Sequence, residues 1–147
     1  MEKLISLWRI HKNGHKLFVR FAKMGRYRDL SIFLYEQALL KLKYADALEN
    51  LIINSSEHFP SCHNTSVRLP LSGESHTVWD SYEWLGDVEI LEHSMTHQVM
   101  AVHEYRQLLP HLQNCLSIHV VLDTQYHEML KALRIFYFID EALSEDF

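Results

Sequence analysis

The scarcity of chain breakers constrains this sequence most. Its 147 residues include only 4 glycines and 3 prolines. A sandwich or barrel turns back every few residues, and tight turns draw on those two residue types. The breakers that exist are also unevenly placed. Gly25 and Pro110 each punctuate long periodic stretches, while Pro60, Pro70 and Gly73 crowd into one connection. Long unbroken stretches between few breaks predict helices, so the expected class is all-α. Hydrophobic residues make up 48% of the chain and charged residues 22%. That balance supplies enough apolar surface to offset the entropy of ordering one core. The length suits a single domain spanning residues 1–147.

Apolar residues at helical spacing predict four segments. The first spans 2–24 with a stripe of Leu4, Leu7, Trp8, Phe18 and Ala22, and stops at Gly25. The second spans 30–53, opened by Asp29 as N-cap, with Phe33, Leu40, Tyr44, Ala47 and Leu51. Residues 54–75 read as a long loop, followed by a short helix or turn over 78–85. The third helix spans 87–109 with Leu91, Ala101, Val102, Tyr105 and Leu109 on one face, and Pro110 breaks it. The fourth spans 111–143. Two short links and one long one predict an antiparallel four-helix bundle with a long loop between helices 2 and 3.

The net charge of -5 disfavours nonspecific nucleic-acid binding, which needs a cationic footprint. No window is apolar enough for a membrane span, and the first residues lack a signal-peptide pattern. The expectations are therefore no nucleic acid, no membrane and a cytoplasmic location, with Cys62 and Cys115 as reduced, structural thiols. No nucleophile elbow and no Gly-rich phosphate loop is found. Outside the polar layer described next, no catalytic constellation is found.

The 11 histidines pose the main question, because imidazole both ligates metals and titrates near neutrality. Advancing 100° per residue puts His11 and His15 in the first stripe. Glu36 and Gln37 flank the second, and Gln98 lies within the third. On the fourth helix the stripe reads Leu112, Leu116, His119, Asp123, Tyr126, Leu130, Leu133 and Tyr137, with His127 at its border. Counted from the two short turns, these polar groups fall at one height. His11, His15, Glu36, Gln98, His119, Asp123 and His127 are thus a candidate metal set of imidazoles and carboxylates, suited to Fe or Zn. The competing reading is a hydrogen-bonded polar layer that holds helix register without an ion.

The pair His93 and His97 falls toward the flank of its helix and reads as solvated face or interface, as do Asp46, Glu49, Glu104 and Glu128. The run Ile135-Phe136-Tyr137-Phe138-Ile139 is apolar all round. One face suffices for a bundle core, so the excess predicts a homodimer through 135–139 or cover by the long loop.

Several stretches carry a likeness. They are Lys12-Asn13-Gly14-His15, Leu34-Tyr35-Glu36-Gln37-Ala38 and Ser75-His76-Thr77-Val78-Trp79. They continue with Ile90-Leu91-Glu92, Tyr105-Arg106-Gln107-Leu108-Leu109-Pro110, and His127-Glu128 followed by Leu130-Lys131-Ala132-Leu133-Arg134. In these the chain resembles a bacterial ferritin-like four-helix-bundle family, a domain of unknown function. The resemblance implies a ferritin-like bundle, with Glu36 and His127 of the family type. It also implies an acidic residue where His15 stands and carboxylates where Met95 and Gln98 stand, so the carboxylate-rich di-iron set is incomplete. Three functions follow as expectations. One is a ferritin-like protein with a His-rich metal site for metal handling or stress response. Another is a non-catalytic, dimerising interaction or structural module that has lost the site. The last resembles a hemerythrin-like di-iron carrier, although helix 2 supplies no histidine for it.

Overall fold

A computed structural model describes residues 1–58 and 85–145. Among these the chain forms four helices and no strand: α1 (Glu2–Met24), α2 (Arg28–His58), α3 (Asp87–Leu108) and α4 (Leu116–Glu145), with a 3-10 turn at Leu109–Leu112 before α4. The expected limits of α1 and α3 agree within a residue. Helix α2 starts earlier than expected, so Asp29 sits in its first turn rather than capping it, and it runs to His58 through residues read as loop. Helix α4 starts at Leu116, because Pro110 lies inside the 3-10 turn. The expected short element at 78–85 lies mostly outside the described residues, and Leu85 itself is not helical.

Contacts fix how the helices lie. Along α1 and α2, the ring of His11 faces Tyr44, His15 reaches Ala38, and Ser31 returns to Gly25. Along α1 and α3, His11 meets Tyr105, Phe18 meets His97, and Phe21 meets His93. Along α2 and α4, Phe33 meets Phe136 and Lys41 meets Met129. Along α3 and α4, Gln98 meets Met129 and Tyr105 meets Gln125. In each pair the residue order of one helix runs against that of the other.

Two apolar clusters fill the interior. One gathers Leu4, Leu7, Trp8, Tyr44, Leu48, Ile52, Tyr105, Ile118 and Leu122. The other gathers Leu17, Phe18, Phe21, Leu30, Leu34, Ile90, Leu91, Phe136 and Ile139. Between them every helix places polar residues inside: His11 on α1, Lys41 on α2, Ser94, His97 and Gln98 on α3, and Gln125 on α4. The molecule has a polar waist.

The α4 stripe differs from expectation by one residue. The buried positions are Ile118, Leu122, Gln125, Met129, Ala132, Phe136, Ile139 and Leu143, and the first six are each the neighbour of a residue expected to be inside. Two interleaved apolar heptads compete on this helix. Burying the expected one would desolvate His119 and Asp123, whereas the observed one desolvates only Gln125. On α2 the stripe is likewise rotated: Phe33 and Tyr44 are buried, while Leu40, Ala47 and Leu51 are half-buried beside the true core residues Leu34, Ala38, Ala45 and Leu48.

Candidate functional site

The polar waist is the chemically richest region. His11 is fully enclosed, and its Nε2 lies 2.5 Å from the Tyr105 hydroxyl. That hydroxyl donates to Gln125 Oε1 at 2.5 Å, and Gln125 Nε2 reaches the Tyr44 carbonyl at 3.5 Å. The direction of this relay sets a tautomer. Because Tyr105 spends its proton on Gln125, its oxygen accepts from His11 Nε2–H. His11 Nδ1 then keeps a bare lone pair, and it has no partner. The Tyr44 hydroxyl donates to Glu128 at 2.7 Å at the rim. One relay therefore links α1, α3, α4 and α2.

Beside it lies a less satisfied group. Lys41 is 0% exposed. Its Nζ donates only weakly, to Met129 Sδ at 3.6 Å, and stands 5.8 Å from the centre of the Phe18 ring. Burial lowers its pKa from 10.5 to about 7. His97 packs edge-on to Phe18, and neither of its ring nitrogens has a hydrogen-bond partner. Burial lowers its pKa from 6.5 to about 3, helped by the charge of Lys41; the Ile10 backbone opposes this weakly, without a hydrogen bond of ordinary geometry. The same two causes, with His97 added, hold His11 well below the usual histidine value. Burial pushes the phenol of Tyr105 up, and for Tyr44 the Glu128 carboxylate adds to burial. Gln98 Nε2 donates to the Met129 carbonyl at 3.0 Å, while its Oε1 has no partner. No Asp or Glu is buried among the described residues.

Gly14 explains how His97 enters. A Cβ at residue 14 would stand 2.6 Å from His97 Cε1, far inside van der Waals contact. The missing side chain lets the imidazole lie against the α1 backbone.

The expected site residues divide. His11 and Gln98 are interior, as expected. His15 is half-buried, and its Nδ1 donates to the Ala38 carbonyl at 2.8 Å. Glu36 is exposed, and its neighbour Gln37 is buried instead. His119 is half-buried in a shallow hollow of about 280 Å³ with Arg106, Leu109, Pro110, Gln113 and Tyr126. Asp123 and His127 pair at 3.5 Å on the surface, with side chains 45% and 62% exposed. The corrections at Glu36, His119, Asp123 and His127 share one cause, the rotation of α2 and α4 just described. Among the described residues no three His, Cys, Asp or Glu side chains are placed to hold a metal. Conversely, His97 was expected on a flank and is buried, and Lys41 was not expected inside at all. The small residue at Gly14 was the available signal for His97. Lys41 had a weaker one, its position four residues after Gln37 and three before Tyr44.

Glu128, read as solvated face, is exposed but accepts from Tyr44. Cys115 is disulfide-bonded rather than a free thiol; Cys62 lies outside the described residues, as do His63 and His76. Among the described residues no helix is long and apolar enough to cross a membrane.

Set against family models, curated proteins and solved structures, the chain matches none. The site is therefore read from its own chemistry. The relay joins the four helices through uncharged groups. A cation entering the waist would meet the Lys41 ammonium and no carboxylate to balance it.

Proposed function

We propose that this chain is a non-catalytic helical interaction module, an antiparallel bundle of ferritin-like connectivity that assembles as a homodimer through the end of α4. The observation that carries this reading is what stays outside after folding. Phe136 and Ile139 are taken into the core, but Ile135, Tyr137 and Phe138 remain 47%, 49% and 73% exposed. A closed two-fold dimer would bring this segment against its own copy, so one patch would serve both partners. The waist supports the same reading, because its bases and amides are used to join helices or are left sealed. No reacting group among them is open to a substrate.

Two measurements test it. Light scattering on the purified protein should give twice the chain mass, and the double variant Ile135→Glu/Phe138→Glu should give a folded monomer. A wild-type monomer across the micromolar range would refute the dimer. Elemental analysis of untagged protein addresses the metal-handling alternative. Stoichiometric iron or zinc that is lost in His11→Ala would overturn the non-metal reading.

A further inference from the structure

The charges of this chain are segregated. Of its 14 basic residues, eight lie within residues 1–28, accompanied by one acid, Glu2; the rest of the chain carries 18 acids and six bases. On α1 the cations are not scattered. Arg9, Lys12, Lys16, Arg20 and Lys23 recur at steps of three and four, so they share an arc of about 80°. That arc faces away from the buried Leu7, His11, Gly14, Phe18 and Phe21. Arg9, Lys16 and Lys23 are exposed, and Lys12 and Arg20 half-exposed. The row extends about 21 Å along the helix. A shallow hollow of about 470 Å³ runs along it, lined by His15, Lys16, Val19, Arg20 and Lys23.

The neighbouring helix adds an apolar strip at the same height. His15 reaches Ala38, which marks the seam between α1 and α2. Beyond that seam on the outer side of α2 stand Ile32, Tyr35 and Leu39, 47%, 43% and 66% exposed. They are spaced i, i+3, i+7, and Asp46 bounds the strip. A basic row and an apolar strip thus run side by side along one face.

We propose that this α1–α2 face docks an acidic amphipathic helix of a partner protein. Carboxylates on the flank of that helix would answer the basic row, and its apolar stripe would cover Ile32, Tyr35 and Leu39. Charge complementarity favours this occupant over a phosphate polyanion. The row is narrow, and the remainder of the molecule is strongly acidic. A nucleic acid or an anionic bilayer extends past the row and meets that acidic remainder. A phosphate backbone also offers nothing to the apolar strip. This inference rests on the interaction-module reading but uses a different face from the dimer.

The test is a fluorescence titration of the full chain. The probe is a synthetic helical peptide of about five turns, with leucines at i, i+3, i+4 and glutamates flanking them. The expected result is saturable binding that weakens with salt. Triple reversal, Lys12→Glu/Lys16→Glu/Lys23→Glu, should weaken it about tenfold, and Leu39→Ser should weaken it by a smaller factor. Binding should persist in Ile135→Glu/Phe138→Glu, which separates this face from the dimer. Circular dichroism confirms that each variant is folded. Absence of peptide binding to wild type would overturn the proposal while leaving the dimer untouched. So would tighter binding to a single-stranded oligonucleotide or to phosphatidylserine vesicles than to the peptide.

Discussion

Lys41 concentrates the cost of the waist in one side chain. An ammonium with no carboxylate partner is expensive to enclose, and the molecule meets that cost by letting the group lose its proton near neutrality. Replacing it with an unbranched apolar residue removes the cost and keeps the volume. Lys41→Met should stabilise the fold by about 1–3 kcal/mol at neutral pH, read from urea denaturation. The pH dependence follows with a definite sign. Lys41 and His97 are bases whose pKa values are lower folded than unfolded, so the unfolded chain holds more protons between the two values. Stability therefore rises with pH through that interval. For Lys41 the interval is about 7 to 10.5, and for His97 about 3 to 6.5. The urea midpoint should fall as pH is lowered from 10 to 7, and fall again below 6.5. Lys41→Met should flatten the upper limb. A midpoint independent of pH above 7 in the wild type would contradict the buried position of Lys41.

At the level of elements, the contact of α1 with α3 depends on one missing side chain. Gly14→Ala gains up to about 1 kcal/mol of helix propensity. Against that, the new Cβ would meet the His97 ring at 2.6 Å. The ring is enclosed, with Phe18 packed against it, so it has little room to withdraw. Overpacking of this kind costs about 1–3 kcal/mol, and the expected net effect is a loss. A double-mutant cycle with His97→Ala checks the cause, because the penalty should shrink once the ring is gone. Elements also show where sequence reading succeeds. On α1 the apolar residues form one stripe, and Leu4, Leu7, Trp8, Phe18 and Ala22 are all buried as expected. On α4 nearly every face is apolar. Leu116 and Phe138, among the most exposed large hydrophobics at 71% and 73%, belong to it. Periodicity alone does not choose between its two heptads, and an error of one residue moves His119 from the interior to a half-buried hollow, Asp123 to the surface and His127 from the border outward.

For the whole molecule, Asp87 adds a tie at one end to hairpins that the helices already pack together. Its carboxylate, at the start of α3, accepts from the backbone N–H of Arg26 at 2.8 Å and of Tyr27 at 3.1 Å, in the link between α1 and α2. One side chain thus ties the first hairpin to the second at a single end of the bundle. Asp87→Ala should cost about 1–2 kcal/mol and speed amide exchange at Arg26 and Tyr27. Asp87→Asn, which keeps one acceptor oxygen, should lie between. Equal exchange in wild type and Asp87→Ala would show that the tie carries no load.

Breaker scarcity and apolar spacing were enough to determine that the chain is helical and where α1 and α3 run. These properties are local, since each helix carries its own period and its own stops. Of the seven residues expected to share one polar height, only His11 and Gln98 are buried in the waist. Which polar residues gather there was decided only by tertiary packing. Membership of the waist depends on how far each helix turns about its own axis. That angle is set by the partners it packs against and by which side chains are cheapest to desolvate. The same packing put Lys41 and His97 inside, against their usual preference for water, and left Glu36, Asp123 and His127 outside.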